Sequence, residues 1–412
     1  MAVTVDTIAA TGNAYIDGVS STAAWTETTP ETPLVVTYSY PTAASNYPAT
    51  YSLSEEPDSG FAVFNGTQQA FIDNELLRLS TYYIPVTFTE ITETDSVHAI
   101  IRFANSSVPD PAHAYVPSSP IVSSGGDVWI DPNQFSLGSP AVGNYAGFTH
   151  QHETLHSIGL KHSHEVGTVV PSDMDFVEFT IMSYRSYEGK AVGAFTIAAN
   201  NYPTTPMLLD IQILHRMYGS VAPHSSDIEY HISPTTGALS RNGVVQFTPP
   251  ANIVFMTYPP ERTSGVIALD HSDRTTNMAI SLIPGEGSIL DDNQLAFLGD
   301  TTHFAAANVY VPIMYGGETD AMPTRVKVGS GNNTVVGNSK TNTIVLTGAR
   351  ADYTAVDHGD GTYTITKTAD SKTNVIYAIE FVEFSDETVA VGDLDETPPG
   401  PGHTNIAFTV TA

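Results

Sequence analysis

The 412-residue chain contains no cysteine. It can form no disulfide and offers no thiolate, so any metal it holds must sit on histidine or carboxylate. Positive charge is also scarce. Fifteen lysines and arginines stand against 44 aspartates and glutamates, a net charge of -29. Such a chain repels nucleic acid and anionic membrane. No apolar run approaches the eighteen or so residues of a membrane span. The opening stretch, MAVTVDTIAATGNAYIDG, has neither a basic region nor a long apolar one, so no Sec leader is expected in it.

Hydrophobic residues make up 41% of the chain, enough for substantial cores. Its length exceeds what one core usually fills, and two units are expected, 1–219 and 220–412. In the first, PLVVTYSY (33–40), PVTFTEI (85–91), HAIIRF (98–103) and GDVWI (126–130) read as strands. Phe71, Leu76, Leu79 and Tyr83 recur at helical spacing. A further helix is expected over 205–219, with Pro206 near its start and Gly219 past its end. Beyond about residue 220 helical periodicity gives way to short β-type runs between Gly, Asn, Asp, Thr and Pro. Three successive nonapeptides, VGSGNNTVV, GNSKTNTIV and LTGARADYT (328–354), place Val335, Ile344 and Tyr353 nine apart. That period suggests a parallel β-roll with one inward apolar residue per repeat.

Histidine is concentrated. Five of the 14 lie within FTHQHETLHSIGLKHSHEV (148–166). On a helix over 149–160, His152 and His156 share one face, about 40° apart. Gly159 allows a sharp turn that can return His162 as a third ligand. Three neutral nitrogens leave the fourth position of zinc for water, which is a catalytic rather than a structural arrangement. Zinc lowers the pKa of that water, and Glu153 can take its proton. His150, about 200° around the helix from His152, and His164, beyond the turn, are expected at the surface.

HExxHxxGxxH over 152–162, followed by TIMSY (180–184), resembles the metzincin metallopeptidases, and the serralysin group in particular. YPTTPMLLDIQILHRMYG, AYIDGVSSTAAW, VTFTEI, IIRFAN and AHAYVP are similar to strings of that group. The resemblance implies an α+β fold: a twisted mixed sheet with active-site helices, then an all-β roll or sandwich. It implies zinc on His152, His156 and His162, and Glu153 as general base and later proton donor. Met182 would floor the site, and Tyr184 would ligate zinc at rest or bind the oxyanion. Substrate would pair with the edge strand AHAYV (112–116), at Ala114 and Tyr115, and residues 185–203 would wall the S1′ pocket. The group's calcium repeat, GGxGxDxUx, carries aspartate where this chain has Asn333, Asn342 and Ala351, so calcium is expected to be sparse and weak. Asp270, Asp273, Asp291 and Asp292 could still form an isolated site. Ser163 stands where the group usually has proline.

The function expected is that of a secreted zinc endopeptidase. It would be a monomer acting on protein or peptide substrates, with a proteinaceous inhibitor as a conceivable partner. Export would run through a type I exporter reading the apolar tail NIAFTVTA. The alternative is a non-catalytic protein that binds a surface or matrix, its metal only stapling the fold.

Overall fold

A computed structural model describes residues 3–28, 33–47, 51, 56–94, 96–118, 124–193 and 195–394. The tail NIAFTVTA, expected to carry an export signal, lies outside the described residues.

In the first half, five strands pair in the order Val86–Glu90, Leu34–Ser39, Ile101–Asn105, Val128–Ile130, Ala112–Ala114. The first four run parallel, and Ala112–Ala114 closes the edge antiparallel. The four expected strand runs all fall in this sheet. The central strands Ile101–Asn105 and Val128–Ile130 are buried on both faces, whereas the edge strand Val86–Glu90 is largely exposed beyond Val86.

On one face of the sheet, Val36, Phe103, Val128 and Ile130 join Phe71, Ile72 and Leu76 of the helix Gly66–Arg78, and Phe148 and Leu155 of the helix Tyr145–Ser157. Asn65 starts the former helix. Its side chain accepts from the backbone N–H of Thr67 and Gln68, while Gln68 reaches back to the Asn65 N–H. The other face packs Trp129 and Ala104 against Tyr47 and Tyr51.

Beyond the helix Leu208–Tyr218 the described chain contains no α-helix. Gly219 ends that helix at φ +80. The chain then coils between two sheets. Ile267–Asp270, Arg325–Lys327, Thr343–Val345 and Phe381–Glu383 pair in parallel in one. Met278–Ser281, Asn333–Val336 and Thr373–Tyr377 do so in the other. Val335 aligns with Ile280 and Ile376, and Ile344 with Val326 and Val382. Tyr353 opens the edge strand Tyr353–Asp357 of the second sheet, which pairs antiparallel with Thr362–Lys367, so the third repeat leaves the expected parallel ladder. All three repeat residues are buried. The nine-residue period is thus one strand and one turn per step, taken on alternate sheets.

The apolar side chains gather into two large clusters. One draws mainly on residues before 219 but also takes Phe255, Ala296, Leu298, Ala305, Ala307 and Tyr310. The other is the interior of the coil. No described helix is long and apolar enough to cross a membrane.

Candidate metal centre

The helix Tyr145–Ser157 is rich in polar residues yet buried on every side from Ala146 onward. Several of its polar groups find partners along the helix or beside it. Thr149 and Thr154 donate to the carbonyls of Tyr145 and His150, at 2.9 and 2.7 Å. Gln151 donates to Glu75 at 3.0 Å. His150 is not at the surface, as expected from its angle on the helix, but fully buried. Its Nδ1 meets the Ala146 carbonyl at 2.8 Å, and its ring packs on Phe64 and Phe71. The helix Gly66–Arg78 and the sheet occupy the side that the sequence pattern left to solvent. His164 is also not free at the surface. It is half-buried, with its ring 4.9 Å from Tyr184 and 5.5 Å from His162.

His152, His156 and His162 converge. They are the one group of three or more potential metal ligands among the described residues. Their Nε2 atoms lie 3.1, 3.0 and 3.1 Å apart. Each Nδ1 is already engaged: His152 with the Ile181 carbonyl at 2.7 Å, His156 with the Leu160 carbonyl at 2.8 Å, and His162 with Glu165 Oε1 at 2.5 Å. A carbonyl can only accept, so Nδ1 carries the proton and Nε2 presents a lone pair. The Nε2 contacts are therefore three lone pairs in opposition, not hydrogen bonds. A cation between them resolves the repulsion. Nitrogens held at about 2.05 Å from a tetrahedral zinc stand about 3.3 Å apart, close to the separations found here. Burial, and then the neighbouring imidazoles, press His152 well below its ordinary pKa, and His156 goes down to about 3. The rings are neutral, as metal ligands must be.

Gly159 makes the convergence possible. It sits at φ +111, and a Cβ there would lie 2.3 Å from the Ala23 carbonyl oxygen. The chain turns at this point and brings His162 under the helix.

Glu153 is buried beside the triad, and its Oε2 has no partner within the protein. Burial pushes its pKa up to about 8. The Tyr184 ring lies 4.5 Å from His162 and 5.8 Å from His152, and burial and then Glu153 raise its pKa. Met182 is fully buried, and its carbonyl accepts from the Ser163 N–H. The turn that carries it is fixed from the helix Leu208–Tyr218, where Asp210 accepts from the N–H groups of Ile181 and Met207, each at 2.9 Å, and from the Thr180 hydroxyl. Ser163 donates to Asp175, which also accepts from Ser183 and Arg185. A proline could not make that side-chain bond, so the departure at Ser163 has a local partner. Glu165, Asp175 and Asp210 escaped sequence reasoning. Glu165 carried the one readable signal, a carboxylate three residues after a ligand.

The strand Ala112–Ala114 lies at the open edge of its sheet. The Tyr115 N–H donates to Asp127, the Tyr115 carbonyl accepts from Gly126, and the Pro111 carbonyl accepts from Asp131. In antiparallel pairing the groups alternate, so the backbone of Ala114 faces outward. The Tyr115 hydroxyl donates to Glu56 at 3.0 Å. The carboxylates Asp270, Asp273 and Asp291 do not come together. Asp270 binds Lys327 and Ser272, Asp273 binds His231, and Asp291 caps a turn at Asn293.

A buried three-histidine centre beside an unpartnered carboxylate is the chemistry of a metallohydrolase, and the relatives agree. The chain is 28% identical over 246 residues to serralysin A of Dickeya chrysanthemi, covering 57% of this chain and 48% of the relative. It is 29% identical over 251 residues to serralysin C of the same organism, 57% and 49% of the two chains. To metallopeptidase AprA of Pseudomonas marginalis it is 26% identical over 324 residues, 75% and 61%. The chain spans about half the length of the two serralysins. No protein-family model matches it. These similarities support a metalloprotease of the serralysin type.

Proposed function

We propose that the chain is a zinc endopeptidase whose catalytic unit is residues 1–219, followed by a coiled β unit over 220–412. The observation that carries this is the opposition of three Nε2 lone pairs beside a buried carboxylate oxygen without a partner. A purely structural metal has no use for Glu153.

His152, His156 and His162 would hold the ion. When bound, zinc supplies a Lewis acid for the scissile carbonyl and a lowered pKa for water. Substrate lies extended along Ala112–Ala114, pairing with the outward backbone of Ala114, with Tyr115 holding the strand through Glu56. Glu153 takes a proton from the attacking water and delivers it to the leaving amine. The Tyr184 hydroxyl donates to the oxygen on which charge develops. Backbone pairing makes few demands on side chains, so cleavage is broad, and selectivity rests near residues 185–203.

The absence of cysteine, the acidic surface and the relatives' similarity favour an extracellular site of action, reached by type I export. Digestion of casein with and without a chelator, then with zinc restored, tests the activity. Hydrolysis abolished by the chelator and regained with zinc is expected. A chain that takes up zinc but cuts nothing would overturn the reading.

A further inference from the structure

The segment after Met182 reaches the metal centre through Phe195. This half-buried ring lies 6.3 Å from Tyr184 and 5.3 Å from Phe148, whose own ring is 6.2 Å from His152. The position of Phe195 is not set by the first half alone. The next residue, Thr196, donates its hydroxyl to the Leu298 carbonyl at 2.8 Å, 102 residues further on. The Ala198 N–H donates to the Phe297 carbonyl at 3.0 Å. The Phe297 N–H donates back to the Asn201 side chain at 2.8 Å. Gly299 lies against Thr196, at φ +121, and a Cβ on it would come within 2.4 Å of the Thr196 hydroxyl. On the other side of Phe195, Tyr187 stacks on His303 with centroids 3.7 Å apart and planes 9° from parallel. The Tyr187 hydroxyl donates to Asp300, and Lys190 donates to the same carboxylate at 2.8 Å. One hairpin, with strands Phe297–Gly299 and His303–Phe304, thus holds this segment both before and after Phe195.

We infer that this hairpin of the second half is a positioning element of the substrate site: it fixes Phe195, and Phe195 sets which side chain is accepted next to the scissile bond. The inference rests on the peptidase reading above. It makes the second half part of the enzyme's selectivity and not only a separate unit. Gly299 matters because the strand must approach Thr196 more closely than any side chain allows, and Asp300 because it ties the far end of the segment through an exposed ion pair.

Two full-length variants test this, Gly299→Ala and Asp300→Ala. The second, at an exposed turn, keeps the test open should the first fail to fold. Two measurements are made. Hydrogen exchange over residues 195–202 should quicken in both variants, more in Gly299→Ala. The ratio of kcat/KM for two fluorogenic peptides differing only in leucine or alanine after the scissile bond should shift about tenfold in Gly299→Ala, at the lower end of what one change in an apolar pocket commands. It should shift in the same direction but less in Asp300→Ala, with zinc content unchanged. Folded variants that keep the wild-type ratio, or wild-type exchange, overturn the inference and leave the peptidase reading standing. A wild-type chain that cuts neither peptide overturns both.

Discussion

At the scale of single residues, the metal centre is a set of compensated costs. A buried carboxylate oxygen without a partner is expensive to keep. Glu153 is such a group, and burial lifts its pKa to about 8. A dication beside it would favour the ionised form and pull that value down again. Glu153→Gln keeps the size of the side chain and removes the base. It should retain zinc, measured by mass spectrometry, and lose about 10²- to 10⁴-fold in peptide turnover. Turnover near that of the wild type would rule Glu153 out as the base. The His162 ring is held differently from the other two, by the half-exposed carboxylate of Glu165 rather than by a backbone carbonyl. A carboxylate on Nδ1 raises the basicity of the ligating nitrogen and fixes its tautomer. Glu165→Ala should weaken zinc binding by about 10- to 100-fold in competition with a chromophoric chelator. An unchanged affinity would mean that the loop geometry alone orients His162.

At the scale of elements, two buried asparagines of the second half's coil donate to the carbonyls of its turns. Asn333 is buried, and its amide nitrogen donates to the Gly331 carbonyl at 3.1 Å and to Asn374 Oδ1 at 2.8 Å. Asn342, also buried, donates to the carbonyls of Asn338 at 2.9 Å and Lys340 at 2.5 Å. An aspartate could only accept, and carbonyls facing carboxylates need a cation between them. An asparagine donates to those carbonyls itself. Turns stack closely around them: a Cβ on Gly337 would come within 1.8 Å of the Ala378 carbonyl oxygen. Dialysis against a calcium chelator should therefore leave the thermal midpoint of the coil unchanged within about 2 °C, a shift corresponding to about 0.5 to 1 kcal/mol for a unit of this size. Asn342→Asp should introduce a dependence on calcium. A midpoint that falls by 10 °C or so on chelation of the wild-type chain would show that cations still hold it together. The period of nine was legible because the inward residues Val335, Ile344 and Tyr353 repeat strictly. The amide donors were only half legible, since sequence shows where a carboxylate is missing but not which carbonyls its substitute reaches. The histidine helix was legible in its ligands and misleading at His150. Angle on a helix tells which residues share a face, not whether the opposite face is covered.

At the scale of the whole molecule, what escaped the sequence is what joins distant segments: Asp210 beneath the Met182 turn, Asp175 behind Ser163, and the 297–304 hairpin against residues 195–201. The same burial that makes these joins hides titratable groups from water. His215 and His271 are both buried, and burial is the main reason that they fall to about 4 and about 3. Arg274 beside His271 adds to its shift. In the unfolded chain each returns to about 6.5. The folded value is the lower one, so between pH 6.5 and about 4 the unfolded chain binds more protons. Stability is then lost as pH falls through that window, by about 1.4 kcal/mol per pH unit for each fully titrating histidine. Asp210 acts in the opposite sense. Burial raises it to about 6, so protonation of the folded chain favours the fold as pH falls below that value. The net slope mixes these groups with loss of zinc, and only a difference between variants isolates one of them. His271 lies beside Tyr258 in the core of the second half, and the charged groups that act on it, Arg274, Asp270 and His231, are not those of the metal centre. His271→Leu should reduce the slope of unfolding free energy against pH, read from urea titrations between pH 6 and 4.5, by about 1.4 kcal/mol per unit, whatever it does to stability at neutral pH. A variant with the wild-type slope would show that His271 takes up its proton in the folded protein.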